Sequence, residues 1–305
     1  MANIIAIVWD FDKTLVDGYM QDPIFEEYGI NSKEFWSEVN SLPKKYWQEQ
    51  QVKVNPETIY LNQFIHYAKS GKFPGLNNKK LREFGAKQKF YPGVPEIFEK
   101  TKQLIEDNEK YQAYDIKLEH YIVSTGITEI IKGSKVMPYV EGVWGCEFIE
   151  IEDETGKPII GEIGYTIDNT TKTRALFEIN KGVGKQDGIT VNTGLPEELR
   201  RVHFINMVYV ADGPSDIPAF SVVNKNHGAT FAIYPPGNIE AMKQVEQMRK
   251  DNRVNMYAEA DYSENKTAYL WLCNKITDFA DRIVFEQKER LAKYAAITPP
   301  KHLTE

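Results

Sequence analysis

Asp10 and Asp12 stand one residue apart, where a continuous apolar run, Ile4 to Trp9, ends. Like charges that close repel unless a cation shares them. A second acidic pair, Asp212 and Asp216 in the stretch DGPSD, follows another apolar run, Met207 to Ala211. A third run, Tyr121 to Val123, ends in Ser124, Thr125 and Gly126. A lone aspartate after a strand is usually a turn former, but three strand ends that each carry polar groups point to one shared site. If the strands are neighbours, Asp10, Asp12, Ser124 and Asp212 converge on one small volume. Oxygen-only ligands favour a hard cation, above all Mg²⁺, which keeps several waters and pairs with a substrate phosphate. Asp216, four residues beyond Asp212 at the start of the next helix, either binds that ion directly or holds a metal-bound water.

The elements that would position these groups can be read from periodicity. Ile4–Trp9, Tyr121–Ser124, Met207–Asp212 and Ala229–Tyr234 are short apolar runs of the kind buried on both sheet faces, the last closed by Pro235 and Pro236. Helical spacing separates them: Val94, Ile97, Phe98, Leu104 and Ile105 in one stretch, Leu176, Phe177 and Ile179 in another, with Gly182 as the stop of the second. The alternation predicts a doubly wound, mostly parallel α/β sheet. Ligands of such sheets bind outside the carboxyl ends of the strands, where strand order reverses.

Residues 17–89 break the alternation and are too long for a βα connection. Pro23–Val39 and Pro56–Lys69 read as helices, with turn signals at Leu42-Pro43 and Gly71–Gly75. The expected organisation is therefore a core domain of residues 1–16 and 90–305 with a helical cap domain, 17–89, inserted after the first strand; the alternative is that these helices cover one sheet face. Glu147–Thr166 alternates around Asp153-Glu154-Thr155-Gly156 and predicts an appended hairpin. Asn265–Tyr294 predicts one or two amphipathic helices on the core, and residues 297–305 a loose tail.

In this order, DFDKTL, VSTG, a helix-opening lysine and DGPSD resemble the four motifs of the haloacid dehalogenase superfamily. YPGVPEIF is similar to the stretch with which many members resume the core after an inserted cap. The resemblance covers roughly residues 4–18 and 90–235, and the region before Lys172 looks most like the phosphoserine-phosphatase-like branch. It implies that Asp10 is a nucleophile that becomes an aspartyl phosphate. It implies that Asp12 is the general acid for the leaving alcohol and then the base for water. It makes Ser124 and Lys172 the groups that bind the phosphoryl oxygens, aided by backbone N–H groups around Thr125 and Gly126, with Thr14 bonding within the motif loop. Metal ligation falls to Asp10, Asp12, Asp212 and Asp216. Lys181 and Lys185 are second choices for the phosphate-binding lysine, because the spacing from Lys172 to Asp212 is longer than the family pattern. Lys13 stands where phosphoserine phosphatases usually have Ser or Gly and is expected to point outward. The implied activity is a Mg²⁺-dependent phosphatase acting on a small-molecule phosphate ester. The alternatives are a phosphomutase of the same superfamily or a non-catalytic phospho-acceptor or ligand-binding module, against which Asp12 and the large cap argue.

Composition narrows the setting. The 305 residues are 42% hydrophobic with a net charge of −7, which argues against a general nucleic-acid or membrane partner. The two cysteines, Cys146 and Cys273, are far apart, and the five histidines show no ligand spacing, which speaks against a disulfide framework or a zinc site. The first residues lack the basic flank and apolar length of a signal peptide, so a cytoplasmic protein is expected. Oligomeric state is not legible in the chain.

Overall fold

The computed structural model describes residues 3–297; residues 298–305, most of the expected tail, lie outside them. The chain opens with β1 (Ile4–Trp9), followed by helices α1 (Asp22–Tyr28), α2 (Ser32–Gln50), α3 (Ile59–Lys69) and α4 (Asn78–Gly85). Helices α5 (Glu96–Glu106) and α6 (Glu109–Gln112) lead to β2 (Lys117–Ile127), and α7 (Thr128–Lys132) to β3 (Gly142–Glu152) and β4 (Pro158–Tyr165). After α8 (Lys172–Lys181) come β5 (Met207–Ala211), α9 (Ile217–Lys225), β6 (Ala229–Tyr234) and α10 (Ile239–Lys250), then β7 (Met256–Glu259) and α11 (Thr267–Ile297).

The strands form one sheet in the order β4-β3-β2-β1-β5-β6-β7. All neighbours are parallel except the β3–β4 hairpin. The chain starts at the centre, builds outward through β2 to β4, then crosses to the other side of β1 with β5. Strand order therefore reverses beside β1, which puts the crevice of the doubly wound fold where Asp10 follows that strand. Period-two geometry divides β1 between two cores. Ile5, Ile7 and Trp9 bury on one face, together with residues of α5 and α11, and Ala6 and Val8 bury on the other, together with residues of α8, α9 and α10.

Residues 17–89 leave and rejoin the sheet side by side: Asp17 N donates to Lys89 O at 2.8 Å and Tyr91 N to Leu15 O at 3.0 Å. Between these points, Phe25, Phe35, Phe64, Phe73 and Phe84 pack into the same apolar cluster as Phe11 and Ile130. Two local expectations fail here. Pro23–Val39 is not one helix, because Gly29 adopts φ 62° and ends α1, and Asn31 caps α2 by accepting from Lys33 N and Glu34 N. The break expected at Leu42-Pro43 is absent: α2 runs through Pro43. The helix loses one hydrogen bond there, and it buries Phe35 and Val39 in the turns before it. The one or two helices expected over Asn265–Tyr294 are a single helix, α11, which starts at Thr267. Among the described residues, no helix is long and apolar enough to cross a membrane.

Candidate active site

The turn after β1 is held at both ends by backbone. Asp10 N donates to Val210 O at 2.8 Å, so the β1–β5 ladder extends to the first aspartate. Phe11 O accepts from Leu15 N at 2.9 Å and Val16 N at 3.1 Å, closing a tight loop in which Lys13 takes φ 56°. Thr14 Oγ1 reaches Asp10 Oδ2 at 3.4 Å, and Thr14 O accepts from Tyr262 Oη at 2.6 Å. Asp12 Oδ1 accepts from Met20 N at 2.9 Å. Lys13 does not project freely, since its Nζ lies 2.5 Å from Tyr19 Oη.

The second wall comes from the end of β5 and the start of α8. Lys172, the first residue of α8, is fully buried, with Nζ 2.8 Å from Asp10 Oδ1 and 2.6 Å from Asp216 Oδ1. Tyr209 Oη donates to the same Asp216 oxygen at 2.6 Å, and Ser215 Oγ to the other at 2.9 Å. Lys181 and Lys185 are committed elsewhere, Lys181 to the Val191 and Thr193 carbonyls and Lys185 to Glu141. The long spacing from Lys172 to Asp212 is taken up mainly by irregular chain between α8 and β5.

One oxygen from each of Asp10, Asp212 and Asp216 lies within 4.8 Å of the others. Burial pushes the Asp10 carboxyl up to about 6, with Lys172 pulling against the rise and Asp216 adding to it. Burial, then the charges of Asp10 and Asp216, push Asp212 up to about 7. Burial alone would lower Lys172, but Asp10 and Asp216 hold its ammonium above the ordinary lysine value. Three carboxylates against one buried ammonium leave negative charge in excess, and an all-oxygen donor set of that kind fits a hard divalent cation. Asp12, expected among the ligands, lies outside this group of three. Burial, then the charge of Asp10, raise its carboxyl well above the usual range.

On the β2 side, the register Trp9↔Ile122 sets Ser124 beside the turn that follows Asp10. Ser124 is buried and its Oγ accepts from Gly126 N at 3.0 Å. An added Cβ at Gly126 would sit 2.1 Å from Met20 Cε, so a side chain there would have to displace Met20. Thr125 offers its carbonyl to Tyr60 Oη at 2.8 Å. Sequence reasoning missed Met20 and Tyr209, and it gave Tyr60 only as one of several aromatic residues of 17–89, with Trp36, Tyr46, Trp47 and Phe64, that could face the site or the core. The hydroxyl of Tyr209 inside an apolar strand was a usable signal, since a buried phenol needs a partner. Met20 and Tyr60 carry no local signature. A cleft of about 550 Å³ opens near the loop, lined by Asp17, Tyr19, Asp22 and Gln88 among others, and none of the cluster's carboxylates lines it.

No protein-family model matches the chain. It is 37% identical over 287 residues to an uncharacterized protein of Borreliella burgdorferi, covering 90% of this chain and 97% of that one. A crystal structure of a HAD (haloacid dehalogenase) family hydrolase from Salmonella enterica serovar Typhi superposes with a TM-score of 0.53 at 12% identity, over 89% of this chain and 71% of the other. A probable phosphoserine phosphatase from Vibrio cholerae gives 0.52 at 14% identity, over 93% of this chain and 67% of the other. At these identities the likeness is one of fold.

Proposed function

The chain belongs to one family with the Borreliella burgdorferi protein and has the haloacid dehalogenase fold, and on that premise we propose that it is a Mg²⁺-dependent phosphatase hydrolysing a small phosphomonoester. The reading rests above all on the close group of Asp10, Asp212 and Asp216 with Lys172 Nζ 2.8 Å from Asp10. Phosphoryl transfer asks for little from a protein beyond a placed nucleophile and positive charge around the transferring oxygens.

In this reading an Asp10 carboxylate oxygen attacks phosphorus and the ester P–O bond breaks, leaving the phosphoryl group on Asp10. Asp12 gives its proton to the departing alcohol oxygen, a role suited to a carboxyl raised well above its ordinary range. Asp12 then takes a proton from the water that attacks phosphorus, which releases inorganic phosphate and restores Asp10. Lys172 neutralises phosphoryl oxygens from its seat on Asp216, and the Ser124 hydroxyl donates to another. Asp10, Asp212 and Asp216 would hold the Mg²⁺, which supplies the positive charge that lets a phosphate approach three carboxylates. Asp12 keeps its carboxylate for the proton. The segment 17–89 acts as a cap that excludes water and selects the ester.

The experiment is release of phosphate from p-nitrophenyl phosphate by the full chain. Turnover with Mg²⁺ that stops on adding EDTA and returns on replenishment is the expected result. Chelator-indifferent turnover, or none at any concentration of Mg²⁺, overturns the reading.

A further inference from the structure

Much of the site is covered: Asp10 is 5%, Lys172 1% and Ser124 1% exposed, while Asp12 and Asp212 are half-buried. In segment 17–89, Met20 N donates to Asp12 and Tyr60 Oη to Thr125 O at the Ser124 strand end, so the contacts that hold this segment down bear on access to Asp10. Residues 76–82 make one set of polar contacts, on β3, β4 and α7: Leu76 O accepts from Ile160 N at 2.9 Å, Asn78 N donates to Glu150 Oε1 at 2.7 Å, and Arg82 pairs with Glu129. A second set, from one short stretch at the α2–α3 junction, reaches the strand end of Ser124 and the turn before Lys172. Tyr60 Oη donates to Thr125 O at 2.8 Å, at the strand end that carries Ser124. Glu57 accepts from Asn169 twice, Oε2 from the backbone N at 2.7 Å and Oε1 from Nδ2 at 2.5 Å. Asn55 Nδ2 donates to Asp168 Oδ2 at 3.0 Å, and Asn55 Oδ1 accepts from Glu57 N at 2.9 Å, which ties the two grips together.

Asp168 and Asn169 belong to the turn from which Lys172 starts. Asp168 Oδ1 accepts from Thr170 N at 3.0 Å and Thr171 N at 2.7 Å, and Asp168 O accepts from Lys172 N at 3.0 Å. The turn is stiff within itself and is gripped from outside by Asn55 and Glu57. Whatever moves it as a body moves the base of the Lys172 side chain, whose tip must still meet both Asp10 and Asp216.

We infer that Asn55–Tyr60 is a latch that couples closure of the 17–89 segment to the placement of Lys172, with Glu57 as the positioning residue. The contacts suit a reversible latch because Asn55 is exposed and Glu57 half-buried, so water replaces each hydrogen bond when the segment opens. Opening frees the turn and the β2 end together, and closing restores both. What Lys172 does once placed rests on the phosphatase reading; the coupling itself does not.

The test is hydrogen exchange of the full chain over residues 168–172, beside steady-state turnover of p-nitrophenyl phosphate. Glu57→Ala is expected to speed exchange of the Asn169 and Thr171 amides about tenfold and to lower kcat by a similar factor with KM within about twofold. Glu57→Gln keeps an oxygen for Asn169 N and recovers most of both losses. Exchange in 168–172 that is unchanged in Glu57→Ala, or that rises equally across the whole molecule, overturns the latch. Faster exchange confined to this turn supports it even if the wild-type protein releases no phosphate, in which case the reading of the site fails alone.

Discussion

Two buried groups of charge sit toward opposite ends of β1 and β2. Near the amino end, Glu119, paired in register with Ala6, meets Arg201 through Nη1–Oε2 at 2.6 Å and Nη2–Oε1 at 2.5 Å. Tyr121 Oη completes the ring by donating to Glu119 and accepting from Arg201. One negative charge faces one positive charge, and donors and acceptors close on each other. At the carboxyl end, Asp10, Asp212 and Asp216 face Lys172, and the charges do not close. A closed set adds architecture. An open set stores repulsion that a ligand can relieve, and such sites are where function concentrates.

The sharpest way to break the comparison is Asp10→Asn. An amide cannot carry the phosphoryl group, so turnover should fall by at least about 10⁴-fold. Folding should not suffer, because the change removes one of three mutually repelling charges. A thermal melt beside the kinetic assay checks both halves. A large loss of stability would mean that the acidic cluster is as structural as the Glu119 ring.

Asp212→Asn tests the stored repulsion through pH. The unfolded chain holds this carboxyl near 3.8 and the folded chain near 7. Between those values the folded state binds the extra proton, so stability is fully present below about 3.8 and is lost as pH rises through about 7. In metal-free protein the variant should therefore gain on wild type from pH 4 to pH 8, by up to about 1.4 kcal/mol per pH unit. Urea titration at several pH values measures it. Mg²⁺ at pH 8 should raise the wild-type thermal midpoint and leave the variant's in place.

The open cluster was legible because each member leaves a trace in local sequence. Asp10, Ser124 and Asp212 each follow a short apolar run, and a strand buried on both faces has little else to look like. Lys172 was legible only through the resemblance, since a lysine opening a helix is otherwise an ordinary surface residue. Arg201 and Glu119 left no such trace: 82 positions separate them, and nothing local marks either as buried. The Asn55 and Glu57 contacts with Asp168 and Asn169 span more than a hundred positions and were equally invisible. β7 was missed for another reason: MYAE is a four-residue edge strand, too short to show a period. Gly29 and Asn31 were readable stop and start signals that the apolar spacing of Pro23–Val39 overrode.

The smallest effects come from the closed ring and depend on how much of it is removed. Arg201→Met leaves the Glu119 carboxylate buried opposite an apolar side chain. Breaking a fully buried pair costs about 3–5 kcal/mol; Arg201 is 18% exposed at its side chain, so about 2–4 kcal/mol is expected here. Adding Glu119→Leu removes the stranded charge but leaves Tyr121 Oη without either partner, and an unpaired buried hydroxyl costs about 1–3 kcal/mol. Only the triple variant, with Tyr121→Phe as well, removes every polar group of the ring at once. Its stability by urea unfolding should return to within about 1 kcal/mol of wild type, because a well-packed apolar replacement of a buried ion pair is often neutral. The acidic cluster permits no such exchange. Replacing all its charges would end the repulsion and the chemistry together, so the triple variant should retain turnover while any single change at Asp10 does not.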